Sequence, residues 1–137
     1  MSNKISEHIS YDEATVSPTA LRLGIKNEPN EAEYTAMVMV ANYCFEPLRK
    51  WYGKPIKVNS FFRCAELNKA VGGKPTSQHQ SGHAIDMSAG SKEENKKLYD
   101  WCAENLEFDQ LIWEFGGSWI HISYVPDNNR KMKFEVK

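Results

Sequence analysis

The sequence has no long apolar run and no N-terminal export pattern. Its longest unbroken apolar stretch, Ala36–Ala41, has six residues, whereas a membrane-spanning helix needs about 18. The segment Met1–Ser10 contains one lysine and no apolar stretch, so it lacks the pattern of a secretory signal peptide. We therefore expect no membrane span, and we expect synthesis in the cytoplasm.

The sequence also has little net charge and few cysteines. Seventeen basic and eighteen acidic side chains give a net charge of −1, without the basic excess typical of a dedicated nucleic-acid-binding protein. The three cysteines, Cys44, Cys64 and Cys102, are odd in number and widely spaced. This pattern fits neither a disulfide framework nor a CxxC metal knuckle. We expect free thiols and no nucleic-acid partner.

The length and composition are those of one globular domain. The chain has 137 residues, of which 41% are hydrophobic and 26% charged, a balance that favours a folded core over disorder. We expect a single domain spanning residues 1–137. We expect no separate second domain beside it.

Helix signals dominate the first half of the chain. Ser17 and Pro18 are typical of a helix start, and Gly24 is expected to end that short helix. Asn30 is expected to cap a long helix that runs to Tyr52. Pro47 lies inside its apolar pattern, which predicts a kink or a break there.

Strand signals dominate the second half. Alternation and turn residues predict strands at Ile56–Ser60, Ala84–Ser88, Leu111–Phe115 and Ser118–Val125, and a final edge strand at Met132–Val136. The expected fold is α+β, with helices packed on one side of a small, mainly antiparallel sheet.

Four polar residues near the strand ends form a candidate metal site: His79, His83, Asp86 and His121. Hydrolytic zinc sites commonly use three protein ligands drawn from histidine and carboxylate. Asp86 and His121 each alternate with large aliphatic residues along their strands. Both side chains should therefore project from the face of the sheet that the core does not fill.

The dipeptide Gly116-Gly117 adds a candidate acid–base group. It predicts a two-residue hairpin loop, which places Glu114 opposite Trp119 and on the same face as His121. Diagonal neighbours on a sheet lie about 7–8 Å apart at the backbone. That separation suits a carboxylate that reaches an attacking water rather than the metal itself.

A ten-residue motif contains three of the four candidate metal-site residues and points to one family of zinc enzymes. Ser77–Asp86 matches S-x-H-x-x-G-x-A-x-D, and Trp119–His121 matches W-[IV]-H. With these motifs the chain resembles the zinc D-Ala-D-Ala carboxypeptidase family, which includes phage endolysins that cut the L-Ala-D-Glu bond and the D-Ala-D-Ala dipeptidases. Asn59–Arg63 is similar to the family's N-S-x-[YF]-R, and Leu67–Gly73 to its helix-to-loop lead-in. The likeness runs from about Ser17 to Val125.

The resemblance implies roles for individual residues. His79, Asp86 and His121 match the zinc ligands. Arg63 matches an arginine that either polarises the scissile carbonyl or holds a substrate carboxylate.

The catalytic carboxylate departs from the pattern. Many members carry an acidic residue three positions before the last histidine, where this chain has Ser118. The nearest acidic residue upstream is Glu114, which the hairpin argument favours as the base, with His83 as the alternative. Ser77, His83 and Trp119 are expected to contact substrate or support the ligands.

The implied activity is that of a zinc metallopeptidase cleaving the stem peptide of bacterial peptidoglycan. The D-Ala-D-Ala carboxypeptidase and L-Ala-D-Glu endopeptidase types share these residues. A monomeric phage or prophage endolysin, released to the wall by a holin, would reconcile a wall substrate with the missing signal peptide. Alternatives on the same scaffold are a non-catalytic zinc-binding module, as in hedgehog signalling proteins, and a virion-associated structural protein.

Overall fold

The structure of the protein is a computed structural model. Its central element is a five-stranded mixed sheet. The structure describes residues 3–137, so the first two residues of the N-terminal segment considered above lie outside the described residues. A short ribbon, β1 (Lys4–Ser6) and β2 (Ile9–Ser10), precedes the main sheet. The main sheet consists of β3 (Lys57–Ser60), β4 (Ala84–Ser88), β5 (Gln110–Glu114), β6 (Trp119–Ser123) and β7 (Met132–Val136). Its order is β3-β4-β6-β5-β7.

The strand pairings agree with a mainly antiparallel sheet. The pairs β3–β4, β4–β6 and β5–β6 are antiparallel, and β7 joins the outer edge of β5 in parallel. The final edge strand expected at Met132–Val136 is confirmed with the same bounds.

Six α-helices accompany the sheet in the part of the chain that the structure describes. They are α1 (Tyr11–Thr15), α2 (Pro18–Leu23), α3 (Glu31–Val40), α4 (Glu46–Tyr52), α5 (Ala65–Ala70) and α6 (Lys92–Asn105). The predicted caps are present. Ser17 Oγ accepts from Ala20 N, and Gly24 ends α2 in the left-handed conformation. Across residues 3–137, no helix has both the length and the apolar character needed to cross a membrane.

The interruption predicted at Pro47 takes the form of a π-helical turn. Ala41–Phe45 forms this wider turn between α3 and α4, so the helical path continues from one to the other. Proline has no N–H to donate, and its ring collides with the carbonyl four residues earlier. The π turn just upstream accommodates both defects without ending the helix.

Helices α3, α4 and α6 cover one face of the sheet. Ile85, Met87, Ile120 and Ile122 are buried in a single apolar cluster with side chains of α3, α4 and α6. Because strand side chains alternate, Asp86 and His121 point to the opposite face. This arrangement confirms the α+β expectation and leaves the polar residues free to form a site.

The hairpin between β5 and β6 differs from the expected two-residue loop. The strands stop at Glu114 and Trp119, which pair with each other, and Phe115–Ser118 form the connection. Ser118 N donates to Glu114 O at 3.0 Å. Gly117 has a φ of +90°, and a Cβ there would lie 2.2 Å from the ring of Trp113. The loop is longer than predicted, but the register that places Glu114 opposite Trp119 is the predicted one.

Candidate metal centre

Three side chains converge on the open face of the sheet. His79, Asp86 and His121 are buried, and their potential ligand atoms all lie within 4.8 Å of one another. Asp86 on β4 pairs directly with His121 on β6, while His79 comes from a 3-10 turn, Gln78–Ser81. Two imidazole nitrogens and a carboxylate are a donor set that zinc prefers.

The orientation of His79 is fixed from outside the motif. Its Nδ1 lies 2.7 Å from the backbone oxygen of Phe61. A carbonyl oxygen can only accept, so Nδ1 carries a proton, which leaves Nε2 as the nitrogen able to bind a metal. Nε2 lies 3.2 Å from Asp86 Oδ2, and it is buried with no hydrogen-bond partner among residues 3–137.

His121 faces the same carboxylate from β6. Its Nδ1 lies 2.9 Å from Asp86 Oδ1, and its Nε2 is buried without a partner in the described chain. Burial raises the pKa of Asp86, but the neighbouring His79 and His121 outweigh burial and hold that pKa well below its usual range. Buried polar atoms rarely go without a partner. An ionised carboxylate between two imidazoles with orphaned nitrogens therefore fits a divalent metal ion.

The glycine of the motif is required where the His79 turn meets α3. Gly82 has a φ of +80°, and a Cβ there would lie 2.4 Å from the backbone oxygen of Glu33. Ser77 begins the turn, and its Oγ accepts from His79 N at 3.2 Å. Ser77 therefore orders the loop that presents His79, which is a supporting position.

A buried carboxylate that sequence reasoning missed holds the same turn from the other side. Asp109 is 1% exposed. Its carboxylate accepts from Gln78 Nε2 and from Arg130 Nε and Nη2, each at 2.8 Å. Hydrogen bonds from Arg130 are the main cause that lowers the pKa of Asp109 to about 2. No spacing rule links these three residues, so only the fold reveals the contact.

Glu114 lies on the metal face, as predicted, and is half-buried. Burial raises its pKa, and the charge of Asp86 acts in the same direction. His121, Trp119 and His79 oppose both effects, yet the net shift is upward. A carboxylate with a raised pKa beside a metal site is suited to taking up and returning a proton.

Arg63 borders a cavity of about 300 Å³ that Asp86 and Trp119 also line. Its Nε is buried with no partner among the described residues, and its Nη2 lies 3.5 Å from Ser77 Oγ. Burial lowers the pKa of Arg63, while Asp86 and Glu114 raise it. A guanidinium with unused donors at a cavity wall can bind a carboxylate or a developing oxyanion.

His83 lies at the start of β4, outside the group of three ligands. Its Nδ1 is 2.6 Å from Ser81 Oγ, and burial lowers the pKa of its imidazole. Its backbone oxygen accepts from Tyr124 N at 3.0 Å. These contacts favour a role in shaping the loop.

Comparison with known proteins gives two findings. A family model described as Peptidase M15 matches residues 7–123. Over 58 residues the chain is 41% identical to the zinc D-Ala-D-Ala carboxypeptidase of Streptomyces albus G. That stretch is 42% of this chain and 23% of the curated relative, so the chain spans about a quarter of the relative's length.

Proposed function

Because the chain belongs to the peptidase M15 family, we propose that it is a zinc-dependent metallopeptidase acting on the stem peptide of bacterial peptidoglycan. The observation that carries this proposal is the convergence of His79, Asp86 and His121 with Glu114 on one sheet face. The partial match to a zinc D-Ala-D-Ala carboxypeptidase supports both the metal and the substrate class.

The three ligands would hold the zinc ion. Two imidazoles and one carboxylate leave room in a tetrahedral shell for water or substrate. When bound, zinc acidifies water and polarises a carbonyl group. The hydrogen bond from His79 Nδ1 to Phe61 O keeps one imidazole oriented, and the pairing of Asp86 with His121 keeps the other two ligands side by side.

Glu114 would act as the general base and then as the general acid. Its carboxylate takes a proton from the attacking water and returns it to the amine that leaves. Arg63 would donate hydrogen bonds either to the oxyanion that develops on the scissile carbonyl or to a substrate carboxylate. Trp119 pairs with Glu114 across the hairpin and lines the same cavity as Arg63.

Digestion of purified peptidoglycan followed by mass spectrometry tests the activity and the cleaved bond together. The zinc-loaded protein should release new amino and carboxyl ends at one bond of the stem peptide. A chelator should abolish the release, and added zinc should restore it. The Glu114→Gln protein, which keeps all three metal ligands, is the matched control for contaminating hydrolases. Stoichiometric zinc without any new ends would contradict the peptidase and favour a binding module.

We further propose that the protein serves as a phage or prophage endolysin that reaches the wall from the cytoplasm after a holin opens the membrane. The support is the likeness of its motifs to those of wall-lytic members. Expression in bacteria should cause lysis only after the inner membrane is permeabilised. Intact permeabilised cells would refute the lytic role.

A further inference from the structure

We propose that β7 forms a saccharide-binding surface beside the metal centre, on which Phe134 stacks against a sugar ring of the glycan strand that carries the stem peptide. This inference rests on the proposed function, because it names the part of the substrate beyond the peptide. The surface consists of Met132, Phe134 and Val136 of β7, together with Phe115 and Trp119.

A single row of side chains crosses the whole sheet and ends on β7. The directly paired residues, from one edge to the other, are Ser60, Asp86, His121, Ile112 and Phe134. Directly paired residues point to the same face, so Phe134 lies on the metal face. Two strand spacings separate Phe134 from His121, which places its backbone about 10 Å away.

A contact on the other face confirms this orientation. The ammonium of Lys133 lies 5.9 Å from the ring centre of Tyr99 on α6, the helix that covers the core side. Successive strand residues alternate between faces. Phe134 is therefore directed away from α6, and its side chain is 38% exposed.

The exposed aromatic surface continues into the hairpin. Phe115 has a φ of +47°, a conformation that is uncommon and strained for a bulky residue and that concentrates at functional sites. Its side chain is 52% exposed, and its ring lies 5.1 Å from that of Trp119. The turn that carries Phe115 packs against β7. Trp119 also lines the cavity at the metal ligands, so the surface is continuous with the site.

The distribution of charge around the metal ligands indicates which part of the substrate lies on β7. The β7 side chains on the metal face are uncharged, whereas Lys133 and Glu135 point to the opposite face. Arg63 lies on the other side of the metal ligands, towards β3. In peptidoglycan the stem peptide carries carboxylates after its first residue, but that first L-Ala joins the sugar through an uncharged lactyl amide. The charged part of the substrate therefore suits Arg63, and the sugar end suits β7.

Chemistry and distance agree with a stacked sugar ring. The face of an aromatic ring is negative, and the C–H bonds on the apolar face of a sugar are weakly positive. A separation of about 10 Å matches an extended L-Ala, its lactyl group and half of a sugar ring. A sugar in that position requires the L-Ala-D-Glu bond at the metal, because the D-Ala-D-Ala bond lies several residues farther from the glycan.

Paired substrates test the proposal. N-acetylmuramoyl pentapeptide and the same pentapeptide without the sugar are compared by the ratio of their kcat/KM values. The wild-type ratio should exceed one, and Phe134→Ala should reduce the ratio about three- to tenfold, as expected for loss of one stacked ring. Glu135→Gln, on the same strand but the opposite face, is the matched control and should keep the wild-type ratio. An unchanged ratio in Phe134→Ala overturns the proposal.

A binding measurement keeps this test separate from catalysis. The zinc-loaded protein is titrated with N-acetylmuramoyl-L-alanine, which contains no L-Ala-D-Glu bond. Saturable NMR shifts should appear at the Met132 methyl group and the Phe134 amide, and Phe134→Ala should abolish the saturable shift of Met132. Shifts confined to other surfaces, or none, refute the saccharide site. Binding at β7 without cleavage of either peptide substrate would instead refute the proposed peptidase.

Discussion

Replacing Asn95 with alanine should destabilise the protein because this side chain joins α6 to the end of β4 and to the hairpin between β5 and β6. Asn95 is 1% exposed. Its Oδ1 accepts from Ala89 N, at the end of β4, at 2.7 Å. Its Nδ2 donates to Gly117 O, in the loop between Glu114 and Trp119, at 2.8 Å.

The magnitude follows from the two groups that alanine would leave without a partner. An unsatisfied buried N–H or C=O costs about 1–3 kcal/mol. The Ala89 N–H is only part-buried, so its loss falls at the lower end, about 1 kcal/mol, and together with the buried Gly117 carbonyl Asn95→Ala should lower the free energy of unfolding by about 2–4 kcal/mol. Domains of this kind are stable by only about 5–15 kcal/mol. The change is large enough to move the midpoint of urea unfolding by about 1–2 M.

Urea unfolding followed by tryptophan fluorescence measures this change. Asn105→Ala is the matched control on the same helix, because the exposed Asn105 donates one side-chain hydrogen bond within residues 3–137, to Trp101 O at 3.0 Å. The control should cost about 0.5 kcal/mol or less. If Asn95→Ala were as mild as Asn105→Ala, the hydrogen bonds of Asn95 would not hold the hairpin, and the reasoning would fail.

Three further predictions concern the site and its support. His121→Ala should lose stoichiometric zinc after dialysis, as measured by metal analysis, because two ligands cannot complete the centre; full zinc retention would remove His121 from the ligand set. Glu114→Gln should retain zinc while kcat falls by about 10²–10⁴-fold, and an unchanged kcat would transfer the base role to His83. Arg130 lowers the pKa of Asp109 from 3.8 to about 2, so the stability that this pair contributes is present above the unfolded pKa and disappears as pH falls from about 4 towards 2. Thermal unfolding across this range should show a smaller loss in Arg130→Gln than in the wild type, and parallel profiles would contradict the linkage.

Much of the fold and the candidate site could be predicted because the relevant signals are local. The alternation in Ala84–Ser88 and Trp119–Ser123 decides which face each side chain occupies, since the strand period is two. That was sufficient to place Asp86 beside His121 and Glu114 on the same face. Cap residues are equally local, which is why the start of α2 at Pro18 agrees with the prediction.

The loop and helix details were harder for a physical reason. The hairpin has four connecting residues, and the first of them, Phe115, adopts a left-handed conformation. A bulky residue gives no sequence signal for that conformation. The sequence also did not determine how the helix accommodates Pro47. A kink, a break and a π turn can each accommodate the missing N–H and the steric clash of proline.

By itself the sequence determined the α+β class, the alternating faces and the set of residues able to bind a metal. Only the tertiary structure decided how that set is held. The proton on His79 is fixed by Phe61, the turn that carries it is held by Asp109, and β7 lies in parallel beside β5. These contacts join segments that are far apart in the chain. Their formation depends on which surfaces meet when the core packs, and no local period or spacing encodes that information.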